Sequence, residues 1–218
     1  MRYFTKEWYR EMQVSGFLVL PETREEWEEE LAFYQEEGID YQSRFQQNLE
    51  EMKEDLLKFL PKSFHKYIHN GTLNSKYPSA ELRNLVDKWQ EDYENRMNQL
   101  WAEYNEYYES TKHELPKSAI NLVENSLHDA VILSTEMLPH DTFTMTLDCS
   151  GGFHYFTKVK LRFTGVSHIQ IEQELNGAYW LYDEIYPKDE GFELCVLLDS
   201  PLSELKIVAR DVLIDDIN

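Results

Sequence analysis

Leu127-His128-Asp129-Ala130-Val131-Ile132-Leu133 is the stretch on which the reading of the fold turns. Before it, apolar residues recur three and four apart, the spacing of one face of a helix. After it, they alternate with polar residues at the period of a half-buried strand. The change of period predicts an α+β protein, with a helical bundle or helical hairpins first and an antiparallel sheet second.

Upstream, Ser79 can cap a long helix over 80–112. Its stripe is Leu82, Leu85, Val86, Trp89, Tyr93, Met97, Leu100, Trp101, Tyr104 and Tyr108, which reads as bundle core in preference to a cofactor box. Over 40–60, Tyr41, Phe45, Leu49, Met52, Leu56 and Phe59 keep steps of three and four and predict another amphipathic helix. Pro61 stops it and can begin a shorter one over 62–69, closed by Asn70-Gly71. Thr23-Arg24-Glu25-Glu26 is a capping box, because the Thr hydroxyl and the Glu carboxylate each satisfy an amide left over at a helix start. That helix buries Trp27, Leu31 and Tyr34, and Gly38 closes it. Thr5 can cap a first helix that Gly16 ends, and the apolar run 17–20 is too short to classify.

Downstream, Phe143, Met145 and Leu147 alternate with polar residues, as do Val159, Leu161 and Phe163. A short run over 168–174 leads to the turn signal Asn176-Gly177. Strands over 179–186 and 192–198 form a hairpin across Lys188-Asp189-Glu190-Gly191, and Leu205, Ile207 and Ala209 mark a further strand. The acidic stretch from Asp211 is an edge or a tail. About seven short strands at near-regular spacing predict an antiparallel β-sandwich or open barrel. The expected division is an acidic, aromatic-rich helical region over 1–116 and an antiparallel β domain over 117–218.

The 218 residues, 42% hydrophobic and 14% aromatic, suffice for a sizeable core. The net charge of −20 divides evenly at Pro116, so the acidity is no detachable tail. A surface this negative repels phosphate backbones and anionic lipid, which excludes nucleic acid and membrane as expected partners. Cys149 and Cys195 stand alone, no run reaches transmembrane length, and the opening residues lack an apolar leader. These features predict a cytoplasmic protein with reduced thiols.

Dinucleotide, P-loop, serine-hydrolase, zincin and Cys-x-x-Cys motifs are all absent from the sequence. A di-iron carboxylate centre needs Glu-x-x-His pairs, and none of the seven histidines has a Glu three residues before it. His65-x-x-x-His69 is the one metal-like spacing. Two imidazoles four apart share a helix face and can chelate a divalent ion given a third ligand, though helix-end histidines favouring the negative C-terminal dipole also explain the pair. Beyond that possible metal, no cofactor is implied. His128-Asp129 is the second candidate, facing as a pair only if the backbone turns there. The third is the strand 179–186. Strict alternation places Trp180, Tyr182, Glu184 and Tyr186 on one face, to receive a ligand, a partner or the helical part of the chain, and Tyr179, Leu181, Asp183 and Ile185 on the other. Cys149 has no basic neighbour nearer than Lys158 to activate it.

The opening Met1-Arg2-Tyr3-Phe4-Thr5-Lys6-Glu7-Trp8-Tyr9 resembles the start of an uncharacterised family of Firmicute proteins, domain of unknown function 4085. So do Leu127-His128-Asp129-Ala130-Val131-Ile132, Ser150-Gly151-Gly152-Phe153 and Gly177-Ala178-Tyr179-Trp180-Leu181-Tyr182-Asp183-Glu184-Ile185-Tyr186. The resemblance implies a Bacillus-type bacterial source and a full-length protein, and it carries no activity, substrate or site. The six-residue Leu-His-Asp stretch is also similar to that of some bacterial toxin-immunity proteins. The expected function is a non-catalytic protein-interaction module with an unidentified protein partner. One alternative is a metal-binding protein or metal-dependent hydrolase using His65 and His69. The other is a small-molecule sensor with a site near Trp180.

Overall fold

The computed structural model describes residues 1–217. Six helices precede eight strands: α1 (Lys6–Phe17), α2 (Arg24–Glu36), α3 (Tyr41–Phe59), α4 (Lys62–His69), α5 (Ala80–Thr111) and α6 (Lys117–Glu124), then β1 (Val131–Leu138), β2 (Thr142–Asp148), β3 (Lys158–Thr164), β4 (His168–Ile171), β5 (Tyr179–Lys188), β6 (Gly191–Asp199), β7 (Ser203–Ala209) and β8 (Asp211–Ile217). The chain forms two compact units. One is Glu7–Gln99; the other is Met1–Lys6 together with the chain from Leu100 onward.

In the helical unit the capping box forms as read. Thr23 accepts from the Glu26 N–H at 3.1 Å, and Glu26 accepts in return from the Thr23 N–H. Asp40 caps α3 through the N–H groups of Gln42 and Ser43. Gly38, at φ +66°, turns the chain between α2 and α3, a left-handed conformation that glycine adopts without strain. The core joins Leu49 and Leu56 of α3, Phe64 and Ile68 of α4, Leu82, Val86, Trp89 and Tyr93 of α5, and Val14 and Leu18.

The β unit is one antiparallel sheet in the order β4-β7-β6-β5-β1-β2-β3-β8. The eighth strand is the acidic stretch left open as edge or tail; from Asp211 to Ile217 it pairs with β3 and is an edge. Asn218 lies outside the described residues. Two short connections dictate the curvature. Laid flat, β3 and β4 would lie about 29 Å apart, six strand spacings, and β7 and β8 likewise. Yet only residues 165–167 join the first pair and Arg210 alone joins the second, and three residues span at most about 11 Å. The sheet therefore curls until its ends approach, giving an open barrel. Ser167 N–H donating to Val208 O prolongs the β4–β7 ladder into the first connection, and Arg210 N–H donating to Thr164 O prolongs the β3–β8 ladder into the second. Where the β5–β6 turn meets the end of β7, a Cβ on Gly191 (φ +117°) would lie 2.1 Å from Ala209 O, so only glycine fits.

Ile132, Met145, Leu147, Val159, Leu161 and Phe163 from one side of the barrel, and Trp180, Ile185, Leu194, Val196, Leu198, Leu205 and Ile207 from the other, fill a single core. Helix α6, which the periodicity of 117–124 was too short to reveal, adds Ala119 and Leu122 to it. No helix among the described residues is long and apolar enough to cross a membrane.

Candidate functional site

The barrel has a thin seam between β1 and β5. They share one register pair, Val131 with Tyr179, supported by backbone bonds among Asp129, Ala130, Ile132, Ala178 and Trp180. Beyond Trp180, β5 continues with no strand beside it on that edge among the described residues. An unpaired edge amide in an apolar setting needs an acceptor. The Ile185 N–H finds one in the Tyr104 hydroxyl of α5, at 3.1 Å. Pro187, two residues on and facing the same edge, has no N–H to satisfy.

The expected single face of β5 does not form. Trp180 pairs with Leu198 and Tyr182 with Leu197, so β5 advances two residues while β6 advances one. This is a β-bulge at Leu181, and it moves Trp180 onto the opposite side from Tyr182, Glu184 and Tyr186. Trp180 is 0% exposed in the barrel core. Its Nε1–H donates to Asp183 Oδ2 at 2.9 Å.

Glu184 is fully buried, and its carboxylate accepts four hydrogen bonds. The N–H groups of Arg2 (2.7 Å), Tyr3 (2.8 Å) and Phe4 (2.6 Å) and the Tyr186 hydroxyl (2.5 Å) all converge on it. Three successive backbone donors make a nest for an anion. Glu184 thereby fastens residues 2–4 to β5, and Arg2 also stacks its guanidinium 4.2 Å above the Tyr186 ring. The carboxylate is saturated by the protein's own donors, and it is an anchor.

Anchoring the opening segment places Phe4 beside α5. Its ring centroid lies 4.3 Å from that of Trp101, 5.1 Å from Tyr104 and 5.8 Å from Tyr182. These four rings wall a cavity of about 290 Å³. Its remaining lining comes from Asn105 and Tyr108 of α5, Val123 of α6, Ser126 and His128 before β1, and Leu181 and Asp183 of β5. Burial raises the Tyr104 and Tyr108 hydroxyls above the ordinary phenol range, with Asp183 and Glu124 respectively the next causes, so both stay neutral. Burial also pushes the Asp183 carboxyl up to about 6. No Lys, Arg or His among the described residues pairs with Asp183, and its one hydrogen bond is from Trp180.

His128 lines the cavity, and Asp129 stands next to it. Asp129 adopts φ +67°, the turn that lets neighbouring side chains face each other. His128 Nδ1 lies 3.0 Å from Asp129 Oδ1, but without hydrogen-bond alignment, so the buried Nδ1 lacks a hydrogen-bond partner. The imidazole stands edge-on to Tyr182 (5.1 Å) and to Phe153 (5.6 Å). The Phe153 loop comes close because Gly152 has no side chain: a Cβ there would lie 3.3 Å from the His128 carbonyl. Phe153 and Phe156 are 70% and 71% exposed beside it.

Of the sequence candidates, the structure thus gathers His128, Asp129 and Tyr182 at one cavity. Trp180 lies behind it in the core, and Glu184 anchors its wall. Phe4, Trp101, Tyr104 and Asp183 were not singled out. Trp101 and Tyr104 carried a signal only as members of an apolar stripe, and Phe4 carried none. His65 and His69 share a face of α4 in the other unit, rings 6.0 Å apart. No group of three or more His, Cys, Asp or Glu able to hold a metal exists among the described residues. Cys149 and Cys195 are free and buried, their thiols pushed up to about 11 by burial, which holds them protonated at neutral pH.

No curated protein matches the chain. Among solved structures, an uncharacterized protein from Neisseria gonorrhoeae aligns at a TM-score of 0.33 and 12% identity, over 42% of this chain and 95% of that one. The family model of DUF4085, described as a protein of unknown function, matches residues 3–209. With almost its whole length matched, the chain belongs to the DUF4085 family.

Proposed function

We propose that the protein is a non-catalytic binding module and that its site is the cavity at the β1–β5 seam. The observation that carries this reading is the convergence of five aromatic side chains, a carboxylate and an imidazole around a space of about 290 Å³. Small-ligand sites are concave, mostly apolar, and carry a few placed polar groups; those for whole drug-sized molecules start near 300 Å³. This cavity suits a small molecule or the end of a larger one. It keeps the expectation of a small-molecule site in this part of β5, and moves it from Trp180 to the neighbouring Tyr182 and Asp183.

A second reading, docking of a protein partner, is favoured by the exposed Phe153 and Phe156 next to His128. Exposed aromatic side chains beside a pocket are typical interface anchors.

The test is ligand-detected NMR with a small-fragment library on the full chain, repeated with Trp101→Ala. Trp101 is 38% exposed, so its truncation opens the cavity without emptying a core. Fragments that bind the parent chain and are lost in the variant support the reading. Fragments that bind both equally place the site elsewhere.

A further inference from the structure

We propose that this cavity recognises a cationic group, an ammonium or a guanidinium, against the wall formed by the rings of Phe4, Trp101, Tyr104 and Tyr182 and beside the carboxylate of Asp183. The inference rests on the cavity being a binding site and names the chemistry it selects.

Three features point the same way. Aromatic faces carry negative charge density, and several rings around one space are the usual means of holding an ammonium group. Here Phe4 packs against Trp101, Tyr104 and Tyr182, and the four rings together form one continuous aromatic wall lining the cavity. Next, Asp183 lines this space without a cationic partner, and no Lys or Arg lines the cavity among the described residues. An anion held in an apolar site without a counter-charge raises the folded state's free energy, and a ligand that supplies the charge relieves it. Finally, Asp129 stands next to the lining His128 on a chain of net charge −20, a field that favours cations over anions, while the nearby Glu124 is already paired with Lys112.

The pH dependence follows from the same groups. Asp183, pushed up to about 6, is ionised at neutral pH and loses its charge as pH falls. The titratable groups around it are Tyr104 and Tyr108 of α5, His128 and Asp129 before β1, and Tyr182 and Glu184 of β5. The phenols stay neutral throughout. Affinity for a permanent cation therefore falls as pH drops through about 6.

The experiment titrates the full chain with choline, tetramethylammonium and guanidinium, and with the uncharged isostere 3,3-dimethylbutan-1-ol, by calorimetry. A trimethyllysine-bearing peptide and its leucine counterpart form a second arm, which tells a free cation from one carried on a polypeptide. Binding of a cation at least about tenfold tighter than its neutral isostere, with the preference lost in Asp183→Asn, is the expected result. Thermal unfolding of the same variant confirms that it remains folded. Equal binding of choline and the alcohol would overturn the cationic assignment and leave the cavity as a binding site. Binding of none of the probes, neutral ones included, would overturn both. A cation preference that survives Asp183→Asn and disappears in Trp101→Ala would support the rings as the selective element and remove Asp183 from that role.

Discussion

Helix α5 carries two aromatic clusters that look alike in sequence and differ in what they enclose. Near its start, Trp89 and Tyr93 stack at 5.3 Å and 11° within the helical core, and Trp89 Nε1–H donates to Phe59 O. Near its end, Trp101 and Tyr104 meet Phe4 and Tyr182 beside open space and a carboxylate that has no cationic partner among the described residues. The first cluster is buried within a packed core. The second is held open by an anchored segment, a bulged strand and a strand edge capped by a hydroxyl. An aromatic stripe is core where its neighbours fill it, and a candidate site where the fold holds them apart.

The largest expected effect tests this contrast directly. Trp89→Ala empties a closed core and should lower stability by about 3–5 kcal/mol, against about 1–2 kcal/mol for Trp101→Ala, read by urea unfolding. Equal losses would mean that the second cluster is as closed as the first. Next in size is Glu184→Ala. It leaves three backbone N–H groups and a buried phenol without their acceptor, and should destabilise by about 2–4 kcal/mol. The amides of Arg2, Tyr3 and Phe4 should then exchange with solvent as a free chain does. If they stay protected, Glu184 is not what holds that wall.

Much of the molecule was legible because the signals were local. The capping box at Thr23 and Glu26, the span of α4 between Pro61 and Asn70-Gly71, and the buried alternation of Val159, Leu161 and Phe163 all depend on neighbours a few residues away. What escaped depended on distance. No glycine or proline marks the bulge at Leu181, so strict alternation put Trp180 beside Tyr182 when they lie on opposite sides. The edge pairing of β8 depends on β3, and only the fold brings that strand within reach. The cavity wall at Phe4 is set by a carboxylate 180 residues away. Tyr104 owes its role to a strand edge that the sequence does not advertise as unpaired.

The smallest expected effect is also the one of opposite sign, and it separates a site from a scaffold. Asp183 has a folded-state value of about 6 against an ordinary 3.8, because burial disfavours its charge. For a group raised on folding, the protonated form binds its proton more tightly in the native state. That stabilisation is fully present below about pH 3.8 and is lost as pH rises through about 6. Asn at this position cannot ionise, yet its amide oxygen can still accept from Trp180 Nε1–H. Asp183→Asn should therefore be more stable than the parent chain at pH 8, by about 1–3 kcal/mol, with the gain shrinking to nothing near pH 4. Every other titrating group is common to the two proteins and cancels in the difference. A structural carboxylate would give the reverse, because its removal would weaken the fold at the pH where it is charged. A charge that destabilises the free protein is what a counter-charged ligand would compensate, whereas the saturated Glu184 one residue away has no such need.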